Sequence, residues 1–218
     1  KKANREQFSE SLSSASDGNL QWEKRKLLGQ GGFGSVFLGV LPQGREVAVK
    51  EVGAKEHGDE VTLIREIALM KELEHAHIVQ YFHAQYDKEE CVVHIFLEFM
   101  SGGSLASRFS KMQSPPDEQL VLRHTNEVLN GLCFLHSKHV VHLDIKGDNC
   151  LIAADGVAKL ADFGCSNQAK KQMMKFDDPG MANLAVSCGI EKGVGQTTMA
   201  GSPCWMAPEV VSVSSVQH

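Results

Sequence analysis

Within His142-Leu143-Asp144-Ile145-Lys146-Gly147-Asp148-Asn149 stand side chains able to work on a phosphate. Asp144 and Lys146, two apart, suit a hydroxyl nucleophile and the phosphate it attacks. Asn149, with Asp162 of Asp162-Phe163-Gly164 further on, offers the hard oxygen donors that Mg²⁺ takes. Each piece alone also reads as turn chemistry, since Asp-Gly and Asp-Asn are turn formers. Leu143 is the odd member, apolar in the middle of charge.

Upstream, Gly29-Gln30-Gly31-Gly32-Phe33-Gly34-Ser35-Val36 fits G-x-G-x-x-G-x-V. Glycine lets a backbone pass close over phosphates without a Cβ clash. A dinucleotide fingerprint has the same spacing but opens a helix. Here an alternating run follows, Ser35 to Val40, so the glycines are expected in a hairpin. The phosphate-cradling G-x-x-x-x-G-K-[ST] pattern is absent from the sequence. Lys50 ends the apolar strand Val47-Ala48-Val49, a place where lysines usually reach solvent. Glu66, beside Ile67 and Met70 on the next helix, is its expected partner.

The elements that must position these groups follow from periodicity. Short strands are expected from Leu27 to Val52 with a turn at Pro42-Gln43-Gly44, and two more at Ile78–Tyr81 and Cys91–Leu97. Glu60 to Leu73 carries a helical stripe at positions 63, 67 and 70. Ser101-Gly102-Gly103-Ser104 reads as a flexible joint. After Ser114-Pro115-Pro116-Asp117, Val121, Thr125, Val128, Leu132 and Leu135 predict a helix over Asp117–His136 with one continuous buried stripe. Short β pieces are expected at 150–153 and 157–160, turned by Ala154-Asp155-Gly156, then a long loop from Phe163 to about Thr198. Residues 1–20 are polar and read as a flexible lead-in.

The 218 residues suffice for a sizeable core, and 42% hydrophobic with 22% charged residues is ordinary for a globular protein. A net charge of −5 argues against nucleic acid as partner, and no apolar run is long enough for a membrane span. Cysteines 91, 133, 150, 165, 188 and 204 form no C-x-x-C pair, as expected of reduced thiols inside a cell. Cys133, His136, His139 and His142 have metal-like spacing, but the run leaves a helix for a loop and would not stay on one face. Cys165 reads as a small buried residue rather than a reactive thiol.

Together, the glycine loop, V-A-V-K, H-x-D-x-K-x-x-N, D-F-G and Ala207-Pro208-Glu209 come in an order that resembles the eukaryotic serine/threonine protein kinases from about Leu27 to Glu209. Lys146 is a serine/threonine mark, and Glu98 to Leu105 with Gly201 to Glu209 resembles the MAP kinase kinase kinase group and its Ste20-like relatives. The resemblance implies an α+β, bilobal fold: a complete β-rich small lobe at about 21–100 and a helical large lobe at about 101–218, cut short after Ala-Pro-Glu. It implies ATP- and Mg²⁺-dependent phosphorylation of Ser/Thr on a protein, with a MAP kinase kinase as candidate substrate and a cytoplasmic location. The competing expectation is a truncated or pseudokinase-like module that binds nucleotide or a partner without transfer.

By the same resemblance, Gly29, Gln30, Gly31, Gly32, Phe33 and Gly34 cover the ATP phosphates, and Val36 and Ala48 roof the adenine. Lys50, held by Glu66, pairs with the α- and β-phosphates. Leu97 is the gatekeeper, Glu98 and Met100 form the hinge, and Leu151 is the floor. Asp144 takes the hydroxyl proton, Lys146 steadies the γ-phosphate, and Asn149 and Asp162 hold Mg²⁺. Met70, Tyr81, His142 and Phe163 match an internal hydrophobic stack. Thr197 and Thr198 are the phosphorylation candidates of the activation loop, in which 171–195 is an excess over the family's usual length. Ser202 replaces the family's Thr before Pro, which helps seat the substrate. Leu143 stands where the family has an arginine that grips an activation-loop phosphate, so a switch is expected to be lost rather than a catalyst.

Overall fold

Strands β1 (Glu23–Gly31), β2 (Gly34–Val40) and β3 (Glu46–Gly53) continue through β5 (Val92–Glu98) and β4 (Tyr81–Asp87) into one antiparallel sheet. Its order is β1-β2-β3-β5-β4. The computed structural model describes residues 19–31, 34–53, 60–163, 167–168, 202–206 and 208. Outside the described residues lie nearly all of the lead-in, Gly32, Phe33, Gly164, Cys165, the 171–195 excess, Cys188, Thr197, Thr198, Ala207, Glu209 and 210–218.

The chain divides into two units. The described residues of the first lie within Lys1–Glu72 and Gln80–Phe99, those of the second within Leu73–Val79, Met100–Met174 and Val194–His218. In the first, Val36 opposes Lys50 and Ala48 opposes Leu97, so the register places all four on one sheet face. Helix α1 (Glu60–Glu72) buries the expected stripe of Leu63, Ile67 and Met70, and Ile64 with it. The other face carries Val47, Val49 and Phe96, fully buried under Leu20 and Leu41, with Trp22 and Phe82 packed alongside. Leu20 is held by the Gln85 carboxamide, which accepts from its N–H at 2.7 Å and donates to its carbonyl at 3.1 Å. Gly39 makes room for Trp22: a Cβ there would come within 2.9 Å of the indole and 2.7 Å of Val49.

The strand expected at Ile78–Tyr81 is displaced. β4 starts at Tyr81, whereas Ile78 makes only an isolated bridge to Leu160 in the second unit. A short apolar run carries no marker of where pairing begins, and Ile78 is apolar because that bridge is buried.

The second unit contains α2 (Leu105–Phe109), α3 (Glu118–Ser137), the hairpin of β7 (Cys150–Ile152) with β8 (Ala158–Leu160), and the pair of β6 (Val140–Val141) with β9 (Asn167–Gln168). Helix α3 forms as expected but buries a different line. His124, Gly131 and Leu135 are inside, Val128 and Leu132 are half-buried, Thr125 is exposed and Val121 is 39% exposed. The turn around His77 comes so close that a Cβ on Gly131 would sit 2.8 Å from its carbonyl oxygen. At Gly131, backbone proximity rather than side-chain hydrophobicity sets the inner face. The Gly-Gly joint is also pinned rather than free: Gly102 donates to Ile152 at 2.9 Å, Ile152 donates to Gly103 at 2.8 Å, and Ser104 caps α2.

Candidate active site

In the first unit, β3 carries Lys50 inward to Glu66 of α1, with Nζ 2.8 Å from Oε1. Lys50 and Glu66 are each 8% exposed, so the lysine does not take the solvent-facing alternative. A buried pair of this kind is costly to break, because either partner left alone is an uncompensated charge. Gly29 and Gly31 lie at the end of β1, and Gly34 opens β2 at φ +116. A Cβ on Gly34 would collide with the Glu51 carbonyl, so only glycine closes this end of the hairpin. Gln30 pairs with Ser35 across it. Leu97 and Glu98 end β5, where Glu98 receives the Gln80 N–H at 3.2 Å and donates its own N–H to the Gln80 carbonyl at 2.9 Å. Met70 and Tyr81 of the expected stack are both buried in this unit.

In the second unit, the loop from His142 to Asn149 is tied together through Asp144. Lys146 Nζ lies 2.8 Å from Asp144 Oδ2, and the Asn149 amide donates to the same oxygen at 2.9 Å and to the Asp144 carbonyl at 2.8 Å. The Ser202 N–H donates to Asp144 Oδ1 at 2.8 Å, while Lys146 donates to Ser202 Oγ at 2.7 Å. Burial alone would push the Asp144 carboxyl up. The hydrogen bonds from Lys146, Ser202 and Asn149 outweigh it and hold the group below its usual range. The same bond to Asp144 holds the Lys146 ammonium above its ordinary value against partial burial. The result is a carboxylate–ammonium pair, both charged at neutral pH.

His142 sits beneath this loop, 1% exposed, its ring 5.2 Å from that of Phe163. Its Nε2 lies 3.0 Å from the Ala161 carbonyl, and its Nδ1 accepts the Asp144 N–H at 3.3 Å. One donor and one acceptor describe a neutral imidazole with its proton on Nε2, and burial lowers its pKa accordingly. Between them Leu143 takes φ 66 and is 43% exposed, and Asp162 takes φ 61. Leu143 therefore presents an apolar surface next to Asp144 in the chain.

Asn149 is oriented through its amide nitrogen, which leaves its carbonyl oxygen for a cation. Asp162 is exposed and near enough to act electrostatically on both His142 and Lys146. Two hard oxygen donors of this kind fit Mg²⁺. Met100 is buried and accepts from Gly103, and Leu151 lies on β7. Cys133, His136, His139 and His142 do not assemble: among the described residues, the one group of possible metal donors lies elsewhere.

Two positioning contacts escaped the sequence reading. Ser202, expected to help seat the substrate, engages both Asp144 and Lys146, partners so distant in the chain that no local signal names them. Glu127 of α3 accepts from the Ala158 N–H at 2.9 Å and lies 2.9 Å from His124 Nδ1, fastening β8 to the helix. An acid at that point in a helix reads as an ordinary surface residue.

The protein kinase domain model matches residues 22–218. Among curated proteins, mitogen-activated protein kinase kinase kinase 3 of Homo sapiens is 37% identical over 199 residues, covering 88% of this chain and 29% of its own length. Mitogen-activated protein kinase kinase kinase 2 of Arabidopsis thaliana is 38% identical over 203 residues (88% and 28%). The kinase kinase kinase A of Dictyostelium discoideum is 33% identical over 204 residues (90% and 19%). The chain thus spans less than a third of the length of these relatives. A match that runs through both units, over the lysine–glutamate pair of one and the aspartate loop of the other, means that the chain belongs to the protein kinase domain family.

Proposed function

We propose that this chain supplies the catalytic domain of an ATP- and Mg²⁺-dependent kinase that phosphorylates serine or threonine on a protein. One observation carries the reading: Asp144 is an ionised carboxylate locked by Lys146, Asn149 and Ser202. A carboxylate so fixed orients an incoming hydroxyl without reorganising. As the hydroxyl oxygen bonds to the γ-phosphorus and the bond to the ADP oxygen breaks, Asp144 takes the proton. Being a weak base, it takes it late. Lys146 steadies the transferred group, and Lys50, fixed by Glu66, aligns the α- and β-phosphates. Asn149 and Asp162 would hold Mg²⁺, which when bound neutralises phosphate charge.

By the resemblance to kinases, the nucleotide-binding residues are Gly29 to Gly34, Val36, Ala48, Leu97, Glu98, Met100 and Leu151, and Thr197 and Thr198 are the regulatory phosphate acceptors of the activation loop. Ser202 seats the substrate through its bond to Lys146. The domain takes in 21–218 after a lead-in of 1–20, and along the sequence the first lobe gives way to the second near residue 100. The names of the relatives support a place in a MAP kinase cascade, with a MAP kinase kinase as protein substrate. A cytoplasmic location goes with that reading and with the free Cys91, Cys133, Cys150 and Cys204. No helix of the described residues is long and apolar enough to cross a membrane.

The test is incubation with Mg²⁺-ATP and a catalytically inactive MAP kinase kinase. Phosphoserine or phosphothreonine on that protein, by mass spectrometry, is expected from wild type and not from Asp144→Asn. Nucleotide binding without any transfer by wild type would instead favour the non-transferring module.

A further inference from the structure

On the sheet face turned away from Lys50, Glu51 of β3 and His94 of β5 are directly opposed. His94 Nε2 lies 3.2 Å from Glu51 Oε1, and Glu90, in the turn between β4 and β5, adds a third donor. One ligand atom from each residue lies within 4.8 Å of the other two. We propose that Glu51, Glu90 and His94 form a binding site for a divalent ion of the zinc type.

The donor set selects the ion. One imidazole with two carboxylates suits Zn²⁺, while Mg²⁺ and Ca²⁺ take oxygen ligands alone. Two donors 3.2 Å apart agree with a shared tetrahedral ion at about 2.0–2.2 Å from each. An independent observation concerns His94 itself. It is only 4% exposed, and Trp22 meets its ring edge-on at 5.2 Å, so Nε2 cannot swing away from the carboxylates. The ring meets Glu51 through Nε2, the nitrogen on the side that would face the ion.

Lys24 is the competitor. Its Nζ lies 2.7 Å from Glu51 Oε1, on a side chain 43% exposed. The ring of Phe37, 4.1 Å from the same ammonium, gives it a second seat. Ion binding therefore exchanges Lys24 for the metal and ties the β4–β5 turn to β3. This makes a prediction that a background site on any of the 10 histidines would not share: removing a positive charge tightens binding.

The experiment is calorimetric titration of Zn²⁺ into the purified protein, comparing wild type with Glu90→Gln and Lys24→Gln. Glu90 is exposed, so its amide variant keeps the fold, which a thermal melt without metal checks. Glu90→Gln should weaken the tightest site by roughly tenfold or more, since even indirect partners of metal ligands have effects of that size. Lys24→Gln should tighten it. Absence of Zn²⁺ binding, an unchanged tightest site in Glu90→Gln, or weaker binding in Lys24→Gln would each overturn the proposal.

Discussion

Asp144 accepts from three residues at once, and this fixes what its replacement does. Asp144→Asn keeps the shape of the side chain but loses the charge and the proton-accepting oxygen. Transfer should fall by about 10²–10⁴-fold, the usual worth of a positioned base, with nucleotide affinity nearly unchanged in titration. Lys50→Met should differ by failing twice. It misplaces the phosphates, and it strands Glu66 in a buried site, which costs about 3–5 kcal/mol in denaturant melts. His142 adds a pH dependence. Its folded pKa lies below the unfolded 6.5, so the unfolded chain binds the extra proton first. The stability tied to the neutral ring is present above 6.5 and is lost as pH falls from there toward the folded value. His142→Phe should flatten that slope in melts across the window. Leu143, exposed and apolar, offers no grip to a phosphate. Replacing Thr197 and Thr198 by Ala should therefore cost little activity, and Leu143→Arg should make the rate respond to phosphorylation. A large loss in the double alanine variant would place the switch on another residue.

Helix α3 and the hairpin of β7 and β8 depend on each other through Glu127. Burial opposes its charge, but the bonds from His124 and the Ala158 N–H, with Arg123 nearby, bring its pKa below the ordinary 4.5. The stability this carboxylate gives is present above 4.5 and fades as pH falls through the depressed value. Glu127→Gln should cost about 1–3 kcal/mol at neutral pH, the range for a partly unmade buried contact, and the gap to wild type should close in acid. A gap that stays constant from neutral to acid would remove the charge from the account. At this scale the sequence is only half legible. Periodicity located α1, α3 and the two short hairpin strands, because 3.6- and 2-residue repeats are written locally. It misjudged the inner face of α3, since Gly131 is inside because a backbone passes close to it and His124 is inside with Glu127 as its partner, and it took a pinned Gly102-Gly103 for a joint. In the site, the Lys50–Glu66 pair was legible, because a lysine ending an apolar strand and an acid beside an apolar helical stripe call for each other. Ser202 and Glu127 were missed as partners, since contacts over 58 and 31 positions leave no local trace.

Across the whole molecule, the proposed metal pair supplies a readout independent of turnover. Mg²⁺-ATP at about 100 times its Kd should stabilise the protein by about 2.7 kcal/mol. In Asp162→Asn, the shift given by ATP alone should persist while the increment from Mg²⁺ disappears. An undiminished Mg²⁺ increment would take Asp162 out of the cation site. The sequence holds just two tryptophans, and they fall in different units: Trp22 lies against the sheet of the first, and Trp205, 60% exposed, lies in the second. Trp22 stands edge-on to both His94 and Phe96, so its emission changes when that face opens, whereas an indole already facing water changes little. The protein thus carries an optical gauge that belongs to one unit alone. Trp205→Phe would leave a single fluorophore on the sheet, while far-ultraviolet dichroism is weighted toward the long helix of the other unit. Coincident midpoints from the two signals would mean that the units melt as one cooperative body, and separated midpoints that each melts by itself.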